Sequence, residues 1–290
     1  MKSRLRRMSR RSNHGMRRIV FIVRCAIIAL LLSCSVAVAA GGGPTVLFDE
    51  GHGQRFSPDR TGPLDLSSFA RVFRGAGFTV RTSSGPLTDE ALAGVDALVI
   101  SGPFHPYSAE ELDTVTTFLG KGGRLCITLH IGITIGDLLH TIGVDFSNGV
   151  IHETENMIMG NPLDFQVTRL EKHPLTAGLK RFNVYGAWAL VNLNDDARII
   201  ARTSPTSWVD LDGNQRLSYD DAVQSFGVVV AGRYSRGEFV VFGDDAIFQN
   251  KFLGPDNLRL ARNLVRWLKA APKPHAGVST YGSAAAAAGS

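Results

Sequence analysis

From Thr45 onward the chain alternates short apolar runs rich in β-formers with segments of helical spacing. Residues 45–48 (TVLF) follow a Gly-Gly-Gly-Pro linker and end in Asp49-Glu50-Gly51-His52-Gly53, which predicts a first strand and its exit loop. Leu66, Phe69, Ala70 and Phe73 fall on one helical face, and the pattern stops at Gly75-Ala76-Gly77. A second strand is predicted over 78–81. A short helix is predicted over 88–93, capped by Thr88, and a third strand over 97–100. The apolar run of that third strand is unbroken, as burial on both faces requires. Ser108 opens the next helix and Glu111 completes a capping box, in which each side chain satisfies a backbone N–H left unpaired at the helix start. A fourth strand over 124–129 and a helix over 135–141 follow.

This β-α-β-α-β-α-β rhythm predicts an α/β fold: a flavodoxin-like three-layer sandwich with a mostly parallel central sheet covered on both faces. Ligands in such sheets lie beyond the C-terminal ends of the strands. The second half is less regular. Strands are expected over 164–169, 185–193 and 198–201. Runs 224–234 and 238–242 flank Ser235-Arg236-Gly237 as a β-hairpin. A closing helix over 258–268 places Leu258, Ala261, Leu264, Val265 and Leu268 on one face. Residues 271–290, rich in Pro, Gly, Ser and Ala, read as a disordered tail, which leaves 45–270 as the domain.

Composition alters this picture at the N-terminus. The chain has 290 residues, 44% of them apolar, with a formal net charge of +5. Residues 1–40 hold nine of the 31 Lys/Arg and none of the 26 Asp/Glu. The remainder therefore carries 22 basic against 26 acidic residues, a net of −4, and shows no basic patch with interleaved aromatics, so nucleic acid is not an expected partner. Arg17-Arg18, an uncharged run over 26–40 and the small residues Ala37-Val38-Ala39-Ala40 make 1–40 a signal peptide, with Met1 or Met16 as the start. The expected location is the periplasm or the exterior. A membrane enters only if the leader stays uncleaved or if Cys34, in Leu31-Leu32-Ser33-Cys34, is lipidated. Cleavage at the alanines leaves Cys126 as the only thiol, inside a predicted strand, so no internal disulfide can form.

Three stretches carry a resemblance: VLFDEGHG; SGPFHPYSAEEL with GKGGRL; and GEFVVFGDDAIFQNKFL with DNLRLARNLVRWL. They resemble class I glutamine amidotransferase-like domains that lack amidotransferase activity. That group includes an uncharacterised exported bacterial family, auxiliary proteins of gliding-motility ABC transporters and the N-terminal domain of an intraflagellar transport subunit. The resemblance implies a tight elbow after the fourth strand. The family's nucleophilic Cys would sit there, but this chain has His130-Ile131-Gly132, and no His-x-Glu pair follows late in the sequence.

Polar residues are expected to gather at the strand ends: Asp49, Glu50, His52, His105, His130, Asp244 and Asp245. Two readings follow. The first is a non-catalytic exported module that binds a small molecule, a glycan or an envelope protein at this edge. The second is a metal-dependent hydrolase using the Asp/His cluster, which needs three ligands around one point. A separate signal is DLDGNQRLSYDD at 210–221. Asp210, Asp212, Asn214, Arg216 (through its carbonyl) and Asp221 occupy calcium-ligand positions 1, 3, 5, 7 and 12 of an EF-hand-type loop, with Gln215 where Gly is usual. Calcium is the expected cofactor of that loop. N-terminal sequencing of exported material should find Ala40 or Gly41 first, whereas a lipid on Cys34 would reverse the soluble assignment.

Overall fold

The computed structural model describes residues 42–130 and 134–270. The expected leader, Ile131 and Gly132 of the expected elbow, and the expected tail lie outside them. The first half runs β1 (Thr45–Asp49), α1 (Ser67–Gly75), β2 (Thr79–Ser83), β3 (Ala97–Ser101), α2 (Ala109–Gly120), β4 (Arg124–Thr128) and α3 (Gly136–Thr141). The second half is β5 (Val144–His152), β6 (Met157–Ile158), β7 (Asn161–Val167), β8 (Arg169–Leu170), β9 (Phe182–Tyr185), β10 (Trp188–Asn192), β11 (Ala197–Arg202), β12 (Trp208–Val209), β13 (Ala222–Val223), β14 (Gly227–Tyr234), β15 (Gly237–Phe242) and α4 (Pro255–Lys269).

The α/β class and the expected hairpin over 224–242 are present, but the sheet is mixed rather than mostly parallel. Its main path is β13-β12-β5-β10-β14-β15-β4-β3-β1-β2. The run β2-β1-β3-β4-β15 is parallel throughout. From β15 through β14, β10, β5 and β12 to β13 each pairing is antiparallel. The reason lies in the connections. A parallel neighbour needs a crossover, usually a helix, whereas an antiparallel one needs only a turn. Between α3 and α4 the described chain has no α-helix, so its strands pair largely through turns.

Three other expectations change. Residues 88–93 form a turn, in which the Thr88 hydroxyl accepts from the Ala91 N–H. The single strand expected over 185–193 is broken at Gly186 (φ 87°). Its halves separate: β9 joins β7 in a small three-stranded sheet, while β10 joins the large one. Strand β5 was not anticipated, because Ser147-Asn148-Gly149 reads as a turn until β10 and β12 pair on either side of it.

Side chains alternate across the sheet into two cores. Val46, Phe48, Val99, Cys126, Val240 and Phe242 face α1 and α4. Leu47, Leu98, Ile100, Leu125, Ile127 and Val241 face α2 and α3. On the first face the rings of Phe48, Phe69, Phe73 and Phe248 meet edge-on or stacked, with centroids 4.4–5.9 Å apart. Geometry of this kind adds to the apolar area buried. At the opposite, N-terminal edge of the strands, buried Arg124 pairs with Glu238 at 2.5 Å and lies 5.0 Å over the Trp267 ring, which anchors α4.

Cys126 is fully buried between Val99 and Val240, and burial raises its thiol pKa. Cys126→Ser should therefore lower stability by about 1–3 kcal/mol in urea unfolding, through a poorly partnered hydroxyl, while Cys126→Ala should cost less.

Candidate functional site at the strand ends

A sheet buried on both faces has no place for polar side chains except its edges and strand ends. Asp49 closes β1, and the loop after it turns His52 back over the sheet. The imidazole is held on both nitrogens: Nδ1 lies 2.8 Å from Asp49 Oδ2 and Nε2 lies 2.9 Å from Glu111 Oε1. The same Asp49 oxygen accepts from the Tyr107 hydroxyl at 2.5 Å and from Gln54 Nε2 at 2.6 Å. Tyr107 stacks on the imidazole with ring centroids 3.7 Å apart. The His52 carbonyl accepts from the Phe104 and His105 N–H groups, at 2.8 and 2.9 Å. This joins the loops after β1 and β3.

Glu111 serves two purposes. The expected capping box is formed, with Glu111 Oε2 accepting from the Ser108 N–H. Its other oxygen accepts from the Leu87 N–H at 2.9 Å and meets His52. Burial disfavours charge on both members of this pair but is outweighed. For His52 the bond and charge of Asp49 and the charge of Glu111 raise the pKa above its ordinary value. For Glu111 the backbone donors of Ser108 and Leu87, with His52, lower it. The imidazole thus sits between two carboxyl groups that favour its protonated form. Burial, then the charge of Asp49, raises the phenol of Tyr107 so that it remains a donor.

A second cluster lies at the ends of β4 and β15. His130 Nδ1 sits 2.9 Å from Asp245 Oδ2. Burial raises the Asp245 pKa against the opposing pull of His130. Gly102 (φ 57°) permits the approach, since a Cβ there would stand 2.3 Å from that carboxylate oxygen. The half-buried imidazole lies against Phe104, with centroids 4.5 Å apart, and the Arg55 guanidinium covers the same ring at 4.7 Å.

The remaining candidates are placed differently. Exposed His105 lies against Gly53, where a Cβ would meet its ring at 3.1 Å. Half-buried Glu50 joins through its backbone, donating to the Ser83 carbonyl. Asp244 turns away from His130. Its oxygens accept from the Tyr185 N–H at 2.7 Å and the Ala246 N–H at 2.8 Å, and burial, then Asp245, raises its pKa. The seven candidates therefore divide into one buried network, one His–Asp pair, a separately buried Asp244, and Glu50 and His105 in more open positions. Gln54, Tyr107 and Glu111 were missed as members of the network. The capping box was the available signal, since it fixes a carboxylate at the start of α2, beside the strand ends.

The family profile described as Domain of unknown function (DUF4350) matches residues 57–265. The chain belongs to this family. No curated protein sequence matches it. Among solved structures, the mmIFT52 N-terminal domain is similar at 17% identity and a TM-score of 0.64, covering 79% of this chain and 99% of that one. Cytoplasmic Protein STM1381 from Salmonella typhimurium LT2 is similar at 16% identity and a TM-score of 0.51, covering 78% of this chain and 100% of that one. At these identities the likeness is one of fold. The match to the DUF4350 profile begins after Asp49 and His52 but includes Tyr107, Glu111, His130 and Asp245.

The DUF4350 domain also carries the loop at 210–221, which leaves the sheet between β12 and β13. One ligand atom from each of Asp210, Asp212 and Asp221 lies within 4.8 Å of the others; among the described residues this is the one such convergence of His, Cys, Asp or Glu. Oxygens bound 2.3–2.6 Å from a central Ca²⁺ fit that spread. Gln215 adopts φ 62°, the left-handed conformation that Gly would hold at this loop position. Asp210 accepts from the Gly213 and Gln215 N–H groups, both at 2.7 Å, and Asp221 from Leu211 and Ser218 at 2.9 and 2.6 Å. Asn214 is turned to Asp212, donating from Nδ2 at 2.7 Å, and its Oδ1 accepts from the Arg216 N–H.

The sign of the His52 shift gives a test. A histidine raised in the folded state contributes fully below its unfolded pKa of about 6.5 and loses that contribution as pH rises through the folded value. His52→Gln should cost about 3 kcal/mol at pH 6. The gap between variant and parent in chemical denaturation should narrow steadily toward alkaline pH. A constant gap would mean that the imidazole is neutral.

Proposed function

We propose that this chain is a non-catalytic exported module for binding or interaction, built on an amidotransferase-like scaffold that lacks the Cys nucleophile. The strand order β2-β1-β3-β4-β15 is that of flavodoxin-like sheets, in which the ligand crevice opens at the ends of the first and third strands. One observation carries the reading. That crevice is filled by the chain's own buried side chains, with His52 spending both ring nitrogens on Asp49 and Glu111. The competing reading, a metal-dependent hydrolase, requires three of Asp49, His52, His130 and Asp244 around one point. The internal partners of His52 and Asp244 weigh against it.

Contact is made at the rim instead. His105, His130, Phe104 and Arg55 offer donors and an aromatic face suited to a glycan ring or a partner's side chains. A photo-crosslinker at position 105 should label an envelope component, with labelling reduced severalfold by His130→Ala; the same group at exposed Asp113 should not label it. Hydrolysis of a phosphoester or ester that disappears in a folded His130→Ala variant would overturn the assignment.

We propose further that the 210–221 loop holds a structural calcium ion through Asp210, Asp212 and Asp221, supplemented by Asn214 and the Arg216 carbonyl. Gln215 places the affinity toward the weak, roughly 10⁻⁴–10⁻³ M range of extracellular modules. At tenfold excess over Kd the ion should add on the order of 1–2 kcal/mol. Thermal unfolding should rise with millimolar Ca²⁺, less with Mg²⁺, and remain unchanged in Asp210→Ala/Asp212→Ala. Equal melting in calcium and in chelator would reduce the loop to a polar turn.

A further inference from the structure

One face of the molecule carries a groove of about 590 Å³ between α1 and α4. Its walls follow from helical spacing. Val72 on α1 and Leu258 and Val265 on α4 point into it beside Leu253, and Arg71 and Arg262 stand at its mouth. No acidic residue lines it. Both arginines are exposed, and neither has an ion pair or hydrogen bond among the described residues. The groove is thus an apolar slot with Arg71, Arg262 and Arg266 around it, none of them ion-paired among the described residues.

The complementary shape is found on the same chain. The 210–221 loop carries Asp210, Asp212, Asp220 and Asp221 around exposed apolar side chains, with Leu217 at 54% and Tyr219 fully exposed. The loop cannot reach the groove of its own molecule. It leaves β12 and β13 at one end of the sheet, whereas α1 packs on β2 at the other. Ten strands lie along that path, so nine spacings of ~4.8 Å place the two ends roughly 40 Å apart. We infer that the groove receives the acidic loop of a second copy of this chain, head to tail, with Leu217 or Tyr219 in the slot and the aspartates against Arg71 and Arg262. Such a contact joins two different surfaces, so it propagates into a ring or a filament rather than stopping at a symmetric dimer. A slot of this size supports weak association, which becomes significant where the protein is concentrated.

Sedimentation velocity on the purified protein, in chelator so that the four aspartates keep their charge, tests the inference. The mean mass should rise between micromolar and near-millimolar protein and fall with added salt. Arg71→Glu/Arg262→Glu, altered only in the groove, and Leu217→Ser/Tyr219→Ser, altered only in the loop, should each stay monomeric with an unchanged melting temperature. Mixed together, the two variants should form a one-to-one pair that grows no further, because each retains the surface the other has lost. Three results would overturn it: a parent protein that is monomeric throughout, which would leave the groove to an acidic partner of another kind; variants that associate as the parent does; or monomeric variants that fail to pair on mixing.

Discussion

A central sheet buried on both faces is the constraint from which the rest follows. Alternate residues of β1, β3, β4 and β15 enter opposite cores, so these strands are apolar along almost their whole length. Polar groups are thereby displaced to the strand ends, where they must find partners or meet water. The chain meets this demand with a network rather than with solvent: Asp49 and Glu111 hold His52 between them, and Tyr107 and Gln54 complete the Asp49 shell.

That solution bears on function. In a doubly wound sheet the ends of the first and third strands are where a ligand would meet the protein. Here His52 joins the two exit loops through its backbone carbonyl and fills the space between them with its ring stacked on Tyr107. Both ring nitrogens of His52 are engaged, at 2.8 Å by Asp49 and 2.9 Å by Glu111. His105 is exposed and His130 half-buried, so both are more accessible than His52. The same physical need, to satisfy polar groups at strand ends, thus commits the inner side chains to one another.

The chemistry outside the sheet follows a different rule. The 210–221 loop is exposed, and its carboxylates are drawn together by N–H groups of their own loop rather than by burial. It has little core and several hydrogen bonds within itself. A divalent ion or a charged surface changes such a segment more readily than it changes the packed layers.

The sequence by itself determined whatever depends on neighbours along the chain. The strands β1, β3 and β4 were legible from continuous apolar runs, α1 and α4 from one-sided periodicity, the capping box from Ser108 and Glu111, and the β14–β15 hairpin from its turn residues. The positions of Asp49, His52, His130 and Asp245 at strand ends were legible for the same reason. Only the tertiary structure decided which of them meet. His52 and Glu111 are 59 positions apart, and nothing local marks them as partners. Asp244 and Asp245 are adjacent, yet one turns to Tyr185 and the other to His130, because the chain leaves β15 at Phe242 and bends into a short 3-10 turn at Asp245. The mixed direction of the sheet was equally hidden. Strand propensity is the same for parallel and antiparallel neighbours, and pairing is settled by the connections and by which apolar faces close a common core.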